Sequence, residues 1–389
     1  MLPGELPLPE EIFTCPGDIV NRLFGHLAAA YDQGFARSYG VALRAFQLQW
    51  CLGVKGQLRC PRCCSSALIR KGWRPRVLRS SRGVLGLEVL QMRCKACGRT
   101  FRPANAMLGL PFERRFLDEL VEKAIGMGIQ MSFGRASRVL KALLADAPSP
   151  EGIRHRIAQR ASAIALCSDV AQQTVLVDGT RVKAGSKQRG AAVHLAITAA
   201  EGPEVDGRPT IEKRLVHLHV GDSRALRKRL TELPVKRLVH DGGIHLEDCA
   251  ERVQRCRWHL VHQLDFYLWQ DKLKAEHRCD YQDRLQALLC NRGPRAARKL
   301  NGFIKELRQK GFRQAAEHLT NAQSETYTWQ ADEGFAFTTT APLEREMREL
   351  NRRTDVGVRW SEQGVENVLK VLFHYRLNET SAVPVRAYQ

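Results

Sequence analysis

Two pairs of cysteines, Cys60-Pro-Arg-Cys63 and Cys94-Lys-Ala-Cys97, have the spacing of metal-binding knuckles. A C-x2-C turn sets two thiolates on one side of a tight loop, and two such turns complete a tetrahedral four-sulfur site for Zn2+. Thiolates then fill every position around the ion, so its role is structural. Cys64 is the spare, because a ligand next to Cys63 would distort the turn. Buried or redox-active cysteines are the plainer alternative, and the doubled spacing argues against it. Between the pairs, Arg74, Arg76, Arg79 and Arg82 suit phosphates, although each alone is an ordinary exposed charge.

A second chemistry belongs to acids. The stretch 175-VLVDGTRV-182 sets Asp178 in an apolar β-type run just before Gly179, and 235-VKRLVHDGG-243 does the same for Asp241 and Gly242. A carboxylate in such a run is costly to bury without a cation beside it. Two of them at converging strand ends repel each other unless a divalent ion neutralises them. Hard Mg2+ takes oxygen ligands and keeps its other positions for water or phosphate oxygens. Either Asp-Gly alone is more often a turn.

A third acid is sought in 338-TTTAPLEREMRELNRRTDVGVRWSEQG-364. Leu343, Met347 and Leu350 recur at helical spacing and bury one face. Glu344 stands next to that stripe, where a helix packed on a sheet can aim it at the strand ends. A surface ion pair with Arg348, four residues on, explains Glu344 equally well.

These residues need elements to position them. Residues 17–50 read as helices with no chemistry assigned, a packing or self-association segment within a first region, 1–55. A zinc ribbon of short strands follows over 56–110. Three short helices over 111–165, the second after Ser132 and the third after Ser149, resemble a helix-turn-helix module. Arg135, Arg138, Arg154 and Arg156 are then placed for DNA; a plain three-helix linker is the alternative. From 174 three strands come in succession, and VKRLVHDGG is a fourth. The spacing predicts a helix over 246–254 and a last strand at RCRWHLVHQL. This is an α/β sheet flanked by helices over 166–265. Residues 266–330 carry no strand pattern and read as an all-helical insertion, and 331–389 returns to the sheet with the third acid.

The chain has 389 residues, with 61 Lys and Arg against 41 Asp and Glu, a net charge of +20. The excess is spread over several segments, which suits a long polyanion crossing more than one domain, or simply a basic protein. No run is long and apolar enough to span a membrane. The N-terminal MLPGELPLPEE lacks a signal layout. Twelve cysteines without such a signal point to a reducing compartment, the cytoplasm or nucleoid.

In their order, V-D-G-T, H-D-G, C-R-W-H, 338-TTTAPLEREMRELNRR-353 and 360-WSEQG-364 resemble Mutator-like transposases and their bacterial insertion-sequence relatives. These are DDE transposases with a ribonuclease-H-like catalytic fold, and the resemblance covers roughly residues 56–375. It implies a multidomain chain: zinc ribbon and helix-turn-helix modules, then a ribonuclease-H-like α/β fold with an all-α insertion. Asp178, Asp241 and Glu344 become the catalytic triad, binding two Mg2+ (or Mn2+) ions about 3.5–4 Å apart for in-line phosphoryl transfer. Cys256 and His259 match a C-x2-H signature beside the active site; read from the residues alone they are half a zinc site. Ala341 stands where relatives often carry Asn, which keeps Glu346, Glu349 and Glu362 open as the third acid. Arg345 and Arg348 suit the scissile-strand phosphates. The implied partners are double-stranded DNA, at the element ends and at the target, and a second copy of the chain. A decayed relative that only binds DNA, or a ribonuclease-H-like nuclease, are the other readings.

Overall fold

The computed structural model describes residues 19–53, 57–103, 115–144, 146–186, 188–205, 207–293, 295–355 and 359–378. The segment MLPGELPLPEE lies outside them. The described residues form a mixed α/β protein with eleven helices, a three-stranded sheet and a five-stranded mixed sheet. The chain divides into two compact units, Met1–Arg156 and Ile157–Gln389. No described helix is long and apolar enough to cross a membrane.

The first unit is built on a long helix, α1 (Ile19–Gly53), and a hairpin of β1 (Leu68–Ser80) and β2 (Gly83–Cys94). The hairpin pairs antiparallel from Leu68↔Cys94 to Ser80↔Gly83, with β3 (Thr100–Phe101) added beside β2. Leu78, Leu85 and Leu87 bury against Ala36, Tyr39 and Leu43 of α1. Gly40 lets helix and strand approach, since a Cβ there would lie 3.3 Å from the Gly86 carbonyl. Gln47 is fully buried and satisfied by the strand: it accepts from Leu90 N–H (3.1 Å) and donates to the Glu88 carbonyl (2.8 Å). A buried amide left unpaired would cost more than it contributes, so this pair fixes the helix against one register.

Helices α2 (Asp118–Gln130) and α3 (Phe133–Leu143) follow, then α4 (Pro150–Ala163), inside which the division between units falls. Ser132 precedes α3 in extended conformation without a side-chain cap bond. Ser149 does cap α4, its Oγ accepting from Gly152 N–H at 3.1 Å.

The second unit holds β4 (Thr174–Val182), β5 (Ala191–Val205), β6 (Arg208–Val220), β7 (Arg237–His240) and β8 (Arg252–Arg255), in the order β6-β5-β4-β7-β8. Pairing is antiparallel across β4–β5 and β5–β6, and parallel across β4–β7 and β7–β8. Four residues at the start of β4, Thr174 to Val177, are buried, as expected for a central strand covered on both faces. One face packs on α5 (Arg224–Thr231) through Val175, Val177, Ala196, Leu226 and Leu230.

Beyond β8 come four helices, α6 (Arg257–Gln270), α7 (Ala275–Cys290), α8 (Arg295–Gln309) and α9 (Arg313–Ala322), with a core of their own around Leu264, Leu285, Leu300 and Phe303. The stretch RCRWHLVHQL is therefore not a strand. Leu260, Leu264 and Leu268 recur every fourth residue and are buried, which is a helix period, and the strand is the four residues RVQR before it. The helix expected over 246–254 shrinks to a single 3-10 turn, Glu247–Cys249. The helical insertion accordingly starts at 257, not 266. Two last helices, α10 (Ala341–Thr354) and α11 (Glu362–Asn378), return to pack on β4 and β6 respectively.

Candidate metal centres

The four cysteines meet. Ligand atoms of Cys60, Cys63, Cys94 and Cys97 all lie within 4.8 Å of one another, with Cys60 to Cys97 and Cys63 to Cys94 at 3.6 Å. The two knuckles repeat one backbone design. Cys64 N–H donates to the Cys60 carbonyl (2.9 Å), as Gly98 N–H does to Cys94 (3.0 Å), and both residues have positive φ, 57° and 73°. Cys64 thus occupies the left-handed position that glycine fills in the second knuckle, outside the ligand set. Burial opposes ionisation of Cys60, but the N–H groups of Arg62 and Cys63 and the neighbouring thiols outweigh it and draw its pKa to about 6. At Cys63 the Ser65 N–H favours the thiolate, yet the other three thiols and burial push it up to about 12. Such mutual dependence of four thiols suits a soft divalent cation such as Zn2+.

The acids are brought to one end of the sheet. Parallel pairing of β4 with β7 runs to Val177↔His240, so Asp178 and Asp241 are the next residues on neighbouring strands. Gly179 N–H donates to Asp178 Oδ1 at 2.7 Å, and Gly243 N–H to Asp241 Oδ1 at 2.9 Å. Burial and the Asp241 charge push the Asp178 carboxyl up to about 7; the Gly179 bond pulls back, and Glu344 pushes up again. Glu344, on the first turn of α10, is half-exposed and pairs loosely with Arg348 (3.6 Å). The three acids therefore share one electrostatic field, and oxygen donors of this kind fit a hard divalent cation. They stand wider apart than the thiols: among the described residues only the cysteines have ligand atoms all within 4.8 Å.

Two of the other candidate third acids, Glu346 and Glu349, are engaged elsewhere. Glu346 is buried between Lys213 Nζ (3.0 Å) and Arg376 Nε (2.9 Å). Glu349 accepts from Arg352 at 2.8 Å, and Glu362 lies exposed beside Gly185.

Cys256 and His259 form a clasp. Thr340, the residue before α10, donates its N–H to Cys256 Sγ (3.3 Å), and its hydroxyl lies 3.4 Å from that sulfur and 3.3 Å from His259 Nδ1. The hydroxyl satisfies both if it accepts from the imidazole N–H and donates to the sulfur. Burial pushes the Cys256 thiol up and His259 down, while Asp241 and Glu344 pull His259 the other way. The C-x2-H pair thus ties the start of α6 to the helix that carries Glu344.

A second support lies behind Asp241. Gly242 has φ +94°, and a Cβ there would overlap the Arg255 guanidinium. Arg255 and His240 both bond Glu325 Oε2, at 2.8 Å and 3.1 Å, in a buried network reaching into the insertion. His194 of β5, paired with Gly179 in the β4–β5 ladder, is pushed down by burial and feels Asp241. Sequence reasoning missed Thr340, Arg255, Glu325 and His194. His240, a polar residue in an apolar run directly before Asp241, was the available signal.

The arginines assigned to DNA differ in their engagement. Arg135, Arg138, Arg345 and Arg348 are exposed. Arg74 donates to Gln91 (3.2 Å), Arg154 pairs with Glu151, and Arg156 lies over the Phe116 ring. Arg76 is half-buried on β1. No known family model matches the chain, and no curated protein does.

Proposed function

We propose that the chain is a DNA transposase, with Asp178, Asp241 and Glu344 as the triad of a ribonuclease-H-like catalytic unit. One observation carries the reading: Asp178 and Asp241, 63 residues apart in sequence, follow directly on paired positions of neighbouring strands, and burial with the charges of Asp241 and Glu344 pushes the Asp178 carboxyl up to about 7. Carboxylates that repel in this way favour a divalent cation between them. Mg2+ or Mn2+, when bound, supplies Lewis acidity and a deprotonated water or 3′-hydroxyl for in-line attack at a phosphate.

The chain's own part is positioning. Asp178 and Asp241 are fixed by the strand register and by the Gly179 and Gly243 N–H bonds. The Cys256–His259–Thr340 clasp sets the first turn of α10, and so Glu344. Arg345 and Arg348, on the exposed side of that turn, suit the flexible approach of a phosphate backbone. Transfer by an activated water or DNA hydroxyl requires no nucleophile on the protein. The cysteine centre holds the ribbon hairpin, which with α2 to α4 is assigned to reading element ends. Acting on two ends calls for a second copy of the chain. The cell compartment that fits is the cytoplasm or nucleoid.

The test is incubation with its own element ends and Mg2+ or Mn2+. Nicked and joined products are expected from the wild type, while Asp178→Asn should bind the ends and cleave nothing. Cleavage by the Asn variant at the wild-type rate removes Asp178 from the role. Nicking without end preference or joining identifies a nuclease instead. The wider spacing of the acids than of the thiols favours a second reading, a zinc-containing DNA binder. End binding by the wild type with no cleavage under either metal would establish that reading.

A further inference from the structure

Five positions of α6 are exposed, Trp258, His262, Phe266, Trp269 and Gln270, and four of them carry rings. Trp258, Phe266 and Trp269 are 50%, 52% and 58% exposed. Their spacing of four, four and three residues is one helix face, and it runs about 16 Å along the axis. The opposite face, Leu260, Leu264 and Leu268, is fully buried in the insertion core. A surface helix ordinarily turns charged residues to water. A contiguous exposed aromatic face marks a binding surface.

Two features identify the occupant. The stripe begins at the acids: Trp258 meets the His259 ring edge-on at 4.8 Å, and His259 feels Asp241 and Glu344. It also lies in basic surroundings, with thirteen Lys and Arg against eight Asp and Glu between residues 257 and 330. A positive field around flat rings complements a polyanion that carries flat rings of its own. Trp258 and His262 already lie parallel, 4.7 Å apart and 14° between planes, the arrangement a stacked base would continue. Duplex DNA hides its base faces, so only unpaired bases can stack there.

We infer that the outer face of α6 is a stacking platform for unpaired nucleobases of DNA leading away from the acid site. It rests on the transposase reading only for the source of the unpaired strand. Recognition is sequence-tolerant, because every base offers a π-face to the indole rings.

The probe is single-stranded oligothymidylate of about 12 nucleotides, compared with a duplex of equal length, in buffer without divalent metal. Wild-type tryptophan emission should be quenched by the single strand. Trp258→Ala and Trp269→Ala should each weaken single-strand binding by about 5- to 150-fold, with duplex affinity, set by phosphate contacts, nearly unchanged. Trp258→Tyr and Trp269→Tyr should recover most of the loss. The rings are exposed, so their removal leaves no cavity, and circular dichroism verifies the fold. Unchanged single-strand affinity, or equal loss on duplex, overturns the proposal. A shift from dimer to monomer with DNA affinity intact would assign the face to a second copy. Single-strand quenching in a protein that never cleaves would sink the transposase reading alone.

Discussion

With its carboxyl pushed up to about 7 from an ordinary 3.8, Asp178 is ionised at pH 8 only at a cost. The folded chain holds that proton more tightly than the unfolded chain does. The stability this lends is complete below the unfolded value and is lost as pH rises through about 7. A shift of this size corresponds to about 4 kcal/mol. Without divalent metal, Asp178→Asn should therefore be more stable than wild type at pH 8, by up to about 4 kcal/mol in urea unfolding. The gap should close as pH falls towards the unfolded value. Adding Mg2+ at pH 8 should raise the wild-type Tm and leave the Asn variant unmoved. A gap independent of pH would mean that ionisation is not its source.

At the scale of an element, α10 separates two glutamates that the sequence left as alternatives. Glu344 lies half-exposed beside the acids, whereas Glu346 is buried between Lys213 and Arg376. Glu346→Gln should cost about 3 kcal/mol in stability, since it leaves buried cations uncompensated. Glu344→Gln should change stability by less than about 0.5 kcal/mol and stop cleavage. The reverse pattern would exchange their roles. The stripe Leu343, Met347 and Leu350 made this helix legible, and the apolar runs around Asp178 and Asp241 made β4 and β7 legible. Residues 255–264 were misread because Trp and Val are good strand formers, and the fourfold spacing of Leu260, Leu264 and Leu268 outweighed them. Glu325 was beyond reach: it meets His240 across 85 residues, and no local pattern marks such a partner.

For the whole molecule, the cysteine centre gives a stoichiometry. About one Zn2+ per chain is expected by elemental analysis, as four thiolates complete one tetrahedral site. Cys60→Ser should lose the ion and lower the Tm, and Cys64→Ser should keep both. Equal loss from the two variants would break the assignment of Cys64 as a bystander. The parallel pairing of β4 and β7 bears on how this chain tolerates changes in length. Connectors lengthen at little entropic cost, and the helices beyond β8 carry a separate core. One residue inserted within Arg237–His240 would instead rotate the following aspartate to the far side of the sheet. A random-insertion library screened for activity should therefore recover survivors in the linking segments and none in those four positions.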